Sequence, residues 1–339
     1  MARRIVEIAS FAGVSPATVS RVLNGRAGVS DKTRQSVLTA LDVLGYDRPS
    51  RLTRDRARMI GLVLPELQNP TYPAFAEVAA GSLARRGFIP VLCTRTDAGV
   101  SEVEYVEMLI DQQVSGLIFF GGNHNEAASE HSHYYRLRER RIPAVLVNAT
   151  FEDLGFPCVS IDDAHAVDHA LRHLLSLGHE RLALVLGPPD HVPSHRRLNH
   201  WLLRGQAEDL VEHTIFSHAG GQAAGERLLD AGATGILCGS DILALGVISA
   251  VRKRGLAVPA DLSVIGNDGA AFTNYTDPPL TTIRQPLEQM AQTAVNLLVR
   301  QIDGERVSPK ELLFEPELVV RASTGPAPVL AVSALSVAP

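Results

Sequence analysis

Arg21 stands on the outer side of a short segment whose other outward residues are Pro16, Ala17, Thr18, Ser20 and Asn24. A guanidinium can donate two parallel hydrogen bonds to guanine O6 and N7. Hydroxyls and a carboxamide beside it suit phosphate oxygens, which set register without reading sequence. A second polar set lies far downstream, each member close after a short apolar run: Asn69 and Tyr72, Asn148, Arg197, Asp241 and Asp268. Acids, amides and a guanidinium held in place grip adjacent hydroxyls, while aromatics such as Tyr72, Trp201 and Phe272 can cover the apolar faces of a ring. The first set points to DNA and the second to a small, hydroxyl-rich ligand.

The elements that must position the first set are legible in detail. Ile5, Ile8, Ala9 and Ala12 recur at helical spacing and make one apolar face. Gly13 stops that helix, since a left-handed residue costs glycine least. Ser15 then sits as an N-cap with Pro16 at the first helical position, where a missing N–H does no harm. Val14 and Val19 occupy the hydrophobic-staple positions, and Val19, Val22 and Leu23 can pack back on the first helix. Asn24-Gly25 breaks the second helix; Ser30-Asp31 opens a third, with Val37, Leu41 and Leu44 inward and Gly45 closing it. Two short helices joined by a tight turn are the build of a helix-turn-helix DNA reader.

Charge divides the chain at the same place. Residues 1–58 hold 11 Lys/Arg and 5 Asp/Glu, net +6, whereas the remainder holds 21 and 32, net −11. Only the N-terminal piece is suited to phosphate.

From Ile60 the pattern becomes short continuous apolar runs separated by helix-like stretches. The runs start at Ile60, Phe88, Val114 and Pro143, then at Arg181, Thr234 and Leu262. Such alternation predicts parallel α/β sheets buried on both faces, in two doubly wound lobes with ligands at the strand C-terminal ends. Cys93, Cys158 and Cys238 are odd in number and far apart, within apolar runs, and read as reduced core thiols of a cytoplasmic protein. No run of 18 apolar residues and no signal peptide is found, so no membrane role is expected. The tail from Gly325 to Pro339 reads as disordered. No Gly-x-Ser-x-Gly elbow, Walker loop, Gly-x-Gly-x-x-Gly or His-Glu-x-x-His is present, so neither an enzyme nor a cofactor is expected. His124, His131 and His133, and the pair Asp162 and Asp163, read as solvated helix and loop residues rather than a metal site.

The string Ala12-Gly13-Val14-Ser15 through Val19-Ser20-Arg21-Val22-Leu23-Asn24, with Val29-Ser30 and Leu44-Gly45-Tyr46, resembles the LacI/GalR family of bacterial repressors. The stretches around Arg34–Pro49 and Pro73–Val78 resemble actinobacterial maltose-type members. The resemblance runs to about Thr324. It implies a homodimeric repressor of carbohydrate-use genes whose C-terminal region is built like a periplasmic sugar-binding protein, and whose effector, usually a sugar, alters operator affinity. Maltose or maltodextrin is the effector it suggests; a different effector class, a non-sugar metabolite included, stays open. The implied organisation is a DNA-binding unit at 1–47, a hinge at 48–58 and an effector-binding and dimerisation unit at 59–324. Lobe one is then about 59–158 plus 286–312, and lobe two about 159–285 plus 313–324.

The resemblance places Arg21 toward the groove, with Pro16 and Ala17 at the other base-reading positions, where they can only touch thymine methyls. Ser15, Thr18, Ser20, Asn24 and Ser30 are phosphate candidates, although Thr18 and Ser20 read equally as solvated helix residues. In the hinge, Leu52 is the candidate minor-groove wedge and Arg51 a backbone contact; the alternative is a basic linker that orders without inserting. The hinge is about three residues shorter than the family pattern. For the effector the resemblance implies Tyr72, Asn148, Arg197, Trp201, Asp241, Asp268 and Phe272. Asp241 reads also as a cap of the helix that follows it, and Trp201 as core. Two departures stand out: the segment from Trp201 to Ile215 is short by roughly ten residues, and Gly269 occupies a position where a second acid is common.

Overall fold

In the computed structural model the described residues are 2–23, 28–44, 46, 58–95, 99–149 and 154–328. The headpiece is three helices, α1 (Ala2–Ala12), α2 (Pro16–Leu23) and α3 (Asp31–Val43). Gly13 adopts φ +66°, and the Ser15 and Ser30 hydroxyls accept from the backbone N–H of Thr18 and Thr33, both at 3.2 Å. Ile8, Ala9, Val19, Val22, Val37, Ala40 and Leu41 are buried in a cluster of their own. Fully burying an aliphatic side chain stabilises by roughly 1.5–3 kcal/mol, so a core this small holds the unit only modestly.

Lobe one begins with β1 (Met59–Leu64), α4 (Thr71–Arg85), β2 (Ile89–Thr94), α5 (Glu102–Asp111), β3 (Gly116–Phe119), α6 (Ser132–Glu139), β4 (Ala144–Val147) and β5 (Cys158–Ile161). Lobe two follows with α7 (Asp163–Ser176), β6 (Leu182–Leu186), α8 (Val192–Leu203), β7 (Val211–His213), α9 (His218–Asp230), β8 (Gly235–Cys238), α10 (Asp241–Lys253), β9 (Ser263–Asp268) and β10 (Thr281–Arg284). The chain returns to lobe one for α11 (Leu287–Ile302) and β11 (Glu311–Phe314), and ends in lobe two with β12 (Glu317–Val319). The sheets have orders β11-β5-β4-β3-β1-β2 and β12-β10-β9-β8-β6-β7; every pairing is parallel except β10 with β12. In each sheet the order reverses beside one strand, β1 in the first and β6 in the second, which opens a crevice at the carboxyl ends.

Both faces of each sheet are covered. Phe75, Leu83, Met290 and Leu298 from α4 and α11 pack on one face of the first, and Val106, Leu109, Tyr134 and Leu137 from α5 and α6 on the other. In the second, Leu228, Leu243 and Val247 lie on one side and Val167, Leu171 and Trp201 on the other. Cys93, Cys158 and Cys238 are buried free thiols. No helix among the described residues is long and apolar enough to cross a membrane.

Three expectations shift. The strand Cys158–Ile161 belongs wholly to lobe one and pairs with β4 and β11, so the first crossing falls at Asp162 rather than after residue 158, and Leu313 and Phe314 stay in lobe one. Short strands β7, β11 and β12 carry no continuous buried run, and the apolar pattern alone passes over them. The disordered tail does not start at Gly325: its N–H donates to Ser263 Oγ at 3.0 Å, and Ala327 N–H donates to Leu177 O at 2.9 Å.

Candidate functional site

On the headpiece, Ser15, Pro16, Ala17, Arg21 and Ser30 are exposed and Thr18 and Ser20 half-buried. Arg21 lies in the last turn of α2, where the carbonyl end of the helix favours a cation. Ser15 and Thr18 share a hydroxyl–hydroxyl contact of 2.9 Å, so their first role is to start α2. Asn24, Arg51, Leu52 and the hinge through residue 57 lie outside the described residues.

Between the lobes, the strand carboxyl ends line a cleft of about 500 Å³, its opening to solvent included. Tyr72, Asn148, Arg197 and Asp268 all line it, together with Asn69, Asn125, Ser160, Asp163, His191, Phe216, Ser240 and Gln285. Arg197, on α8, is nearly fully buried; its Nε donates to Asp163 Oδ1 at 2.7 Å and its Nη1 to Gly239 O at 2.8 Å. Burial pushes the Asp163 carboxyl up, and the Arg197 guanidinium pulls it back.

The backbone is bent to aim side chains inward. Asn148 and Ala149 take φ +69° and +81°, and Asp268 takes φ +134°. Asparagine accepts a left-handed conformation readily, but alanine and aspartate there carry strain. Ala149 is held by a 2.7 Å bond from its N–H to Ser160 Oγ. Asp268 is held by Gln285, which donates its backbone N–H to Asp268 O at 3.2 Å and its Nε2 to Oδ1 at 2.9 Å.

Four buried oxygens of residues that line this space have no hydrogen-bond partner: Asn125 Oδ1, Asn148 Oδ1, Asp268 Oδ2 and Gln285 Oε1. Leaving a buried acceptor unsatisfied costs about 1–3 kcal/mol, so such a group calls for an explanation. Here all four are acceptors on residues that line one cleft. Burial, then the Asp241 charge, raises the Asp268 carboxyl above the ordinary range, opposed by Arg197 and Asn69. Burial first, then Arg197 and His124, lowers His191 to about 3; it is neutral, and its Nδ1 meets Ser194 Oγ at 2.9 Å at the start of α8. The Phe216 ring stands edge-on to His191 at 5.0 Å. A Cβ at Gly187 would lie 2.1 Å from that ring, so glycine makes room for it.

Three expected pocket residues lie elsewhere. Trp201 is fully buried in lobe two, its Nε1 donating to Ala207 O at 3.2 Å within the short segment after it. Asp241 neither caps α10 nor lines the cleft. Ser240 is the cap, accepting from Leu243 N–H at 3.3 Å. Asp241 instead accepts from Thr282 Oγ1 at 2.5 Å and Ala270 N–H at 2.8 Å, behind the Asp268 loop. Phe272 sits in a 3₁₀ turn beyond β9, and Phe216 supplies the aromatic wall.

Two of the three histidines read as solvated, His124 and His133, are fully buried. Burial lowers His124 to about 4. Glu102, at the start of α5, accepts from Asn123 N–H at 3.1 Å, His133 Nε2 at 2.8 Å and the Tyr134 hydroxyl. Burial alone would raise Glu102, but His133 and Tyr134 hold it below the usual value. This network fixes the turn Asn123–Asn125, which carries Asn125 into the cleft. Asn125, Asp163, His191, Phe216 and Gln285 were missed from sequence; the only signal was Asp163 beside the helix-capping Asp162.

At the cleft mouth, Ala127 N–H donates to Asp190 O at 3.0 Å, linking the lobes. On another side Arg196 of α8 grips Glu311 of β11 with two bonds of 2.8 and 3.0 Å.

Residues 4–49 match the family model "Bacterial regulatory proteins, lacI family", and residues 171–324 match "Periplasmic binding protein-like domain". The chain is 45% identical to the helix-turn-helix-type transcriptional regulator MalR of Streptomyces coelicolor, over 97% of this chain and 98% of that protein. Among solved structures it is similar to a transcriptional regulator CelR–cellobiose complex, with 30% identity, TM-score 0.70, and coverage of 94% and 99%. It is similar also to a lac repressor dimer bound to operator and the anti-inducer ONPF, with 28% identity, TM-score 0.70, and coverage of 94% and 98%.

Proposed function

Because this chain belongs to the lacI family of bacterial regulatory proteins and is a helix-turn-helix transcriptional regulator, we propose that it represses carbohydrate-use genes and that a sugar of the maltose or maltodextrin class releases it. A homodimer sets one headpiece on each half of a pseudo-palindromic operator. Arg21 reads a guanine edge, Pro16 and Ala17 face thymine methyls, and Ser15, Thr18, Ser20, Asn24 and Ser30 hold phosphates. Residues 48–58 form the hinge, with Arg51 and Leu52 as its DNA contacts. The protein works beside the nucleoid, with no catalytic step and no cofactor.

The effector occupies the cleft between Tyr72, Asn148, Arg197 and Asp268, with Asn125, Gln285 and Phe216. The observation that carries this reading is the set of four unpartnered acceptors around the Arg197–Asp163 pair. Sugar hydroxyls donate to the oxygens and accept from the guanidinium, and the Tyr72 and Phe216 rings cover the sugar's apolar face. A ligand that touches both lobes prefers one lobe arrangement, and only that preference can alter operator affinity.

Anisotropy titrations on the duplex recovered by in vitro selection, with and without maltose and maltotriose, test this. Salt-sensitive, selective binding weakened by either sugar is expected. Arg197→Ala keeps operator binding and abolishes the sugar's effect. Selective binding indifferent to both sugars overturns the effector class.

A further inference from the structure

The N-terminal ends of the first sheet's strands form the edge opposite the cleft, and the chain enters that edge at Arg58, just before β1. The turns leading into β2, β4 and β11 carry Arg85 and Arg86, Arg140 and Arg141, and Arg306 and Lys310, all exposed. Among the described residues no carboxylate pairs with Arg85, Arg140, Arg141, Arg306 or Lys310. Among the described residues the acids on the same edge are Asp111, Glu139, Asp303, Glu305 and Glu311, of which Glu305 is already held by Arg300 at 2.7 Å and Glu311 by Arg196 at 2.8 Å. The corresponding edge of the second sheet carries no such excess: Glu180, Glu208, Asp209, Asp230, Asp261 and Asp277 meet Arg181, Arg204, Arg252, Lys253 and Arg254, with Asp277 held by Arg252 at 3.0 Å and Asp230 by Arg254 at 2.5 Å. The chain beyond residue 58 is net −11, so this basic edge is a local concentration against the trend.

Six strands at about 4.8 Å spacing span about 24 Å, the length of about seven phosphates along one DNA strand. Tyr46 and Arg58 are 12 residues apart, a reach of at most about 40 Å. We propose that this edge is a second DNA-contacting surface, gripping backbone phosphates that flank the operator bases read by the headpiece. It rests on the headpiece being the specific reader. Its partner is fixed by charge complementarity: exposed guanidiniums with no internal acid are free to release counterions from phosphate, whatever the flanking sequence.

The test compares full-length protein on the selected operator as a duplex of about 20 base pairs and of about 50 base pairs, over a KCl series. Short-duplex affinity reads the headpiece; the gain with length reads the edge. The longer duplex is expected to bind at least fivefold tighter at about 0.1 M salt, with a log–log salt slope steeper by about 2 or more. The triple variant Arg140→Gln, Arg141→Gln, Arg306→Gln is expected to lose that gain and keep short-duplex affinity and thermal stability. Equal affinity and slope on both lengths for the wild-type protein overturns the proposal, as would be the case for an edge that docks an acidic protein instead. A variant weakened equally on both lengths overturns it too, since the arginines would then act through the headpiece.

Discussion

Asp268 concentrates the chemistry of the cleft in one side chain. It is strained at φ +134°, tied by one oxygen to Gln285, and left with the other oxygen open. Burial and the neighbouring Asp241 raise its pKa. A carboxyl raised in the fold keeps its proton between the ordinary value near 4 and the raised one. The native state therefore binds more protons in that window, and stability falls as pH climbs through it. A hydroxyl donated to Oδ2 favours the ionised form, so binding expels the proton. Maltose affinity, followed by calorimetry, is expected to rise from about pH 5 to about pH 8 in the wild type and to be flat in Asp268→Asn. A wild-type profile as flat as the variant's would remove Asp268 from direct contact. Arg197 shows how far residue type alone leads: a guanidinium at a strand exit pointed to hydroxyl recognition, but its Asp163 partner came from a helix start 34 positions earlier.

At the scale of elements, α9 and α10 show how composition encodes closeness. A Cβ at Gly221 would lie 2.2 Å from Leu243 O, and one at Gly246 2.2 Å from His218 O. An exposed helical glycine replaced by alanine gains roughly 0.5–1 kcal/mol. Here the backbone–backbone collision outweighs that gain, because overpacking costs about 1–3 kcal/mol and the obstructing atoms are main chain. Gly246→Ala is expected to lower the denaturant midpoint of the lobes and leave the m-value unchanged. A raised midpoint would show that the helices can part at little cost. The headpiece helices were legible because caps, staple and periodicity are local devices. The short strands β7, β11 and β12 were not, because pairing with a neighbour, rather than an apolar run of their own, makes them strands.

For the whole molecule the decisive feature is that two stability units share one chain. The headpiece core is a separate cluster, whereas the lobes are joined by Arg196–Glu311, by Ala127–Asp190 and by three crossings of the chain. Scanning calorimetry is expected to show a small early transition and a large later one. Maltose at about 100 times its Kd should raise the later one by the equivalent of about 2.7 kcal/mol and leave the early one in place, while operator DNA stabilises the early one. A single transition that both ligands move would mean the units unfold together.

The sequence by itself determined the helix-turn-helix with its caps, the change from helical to strand-and-helix periodicity at Ile60, and the charge division near residue 58. It also pointed to five residues of the cleft, Asn69, Tyr72, Asn148, Arg197 and Asp268. Those features depend on near neighbours in the chain or on composition. Tertiary structure alone decided that Trp201 and Asp241 face inward, that His124 and His133 are buried around Glu102, and that Asn125, Asp163, His191, Phe216 and Gln285 complete the cleft. The lining runs from Asn69 to Gln285, and no local spacing records which strand end meets which across two lobes. Sheet order and the crossings between lobes set that meeting, and burial then decides which polar groups are left needing a partner.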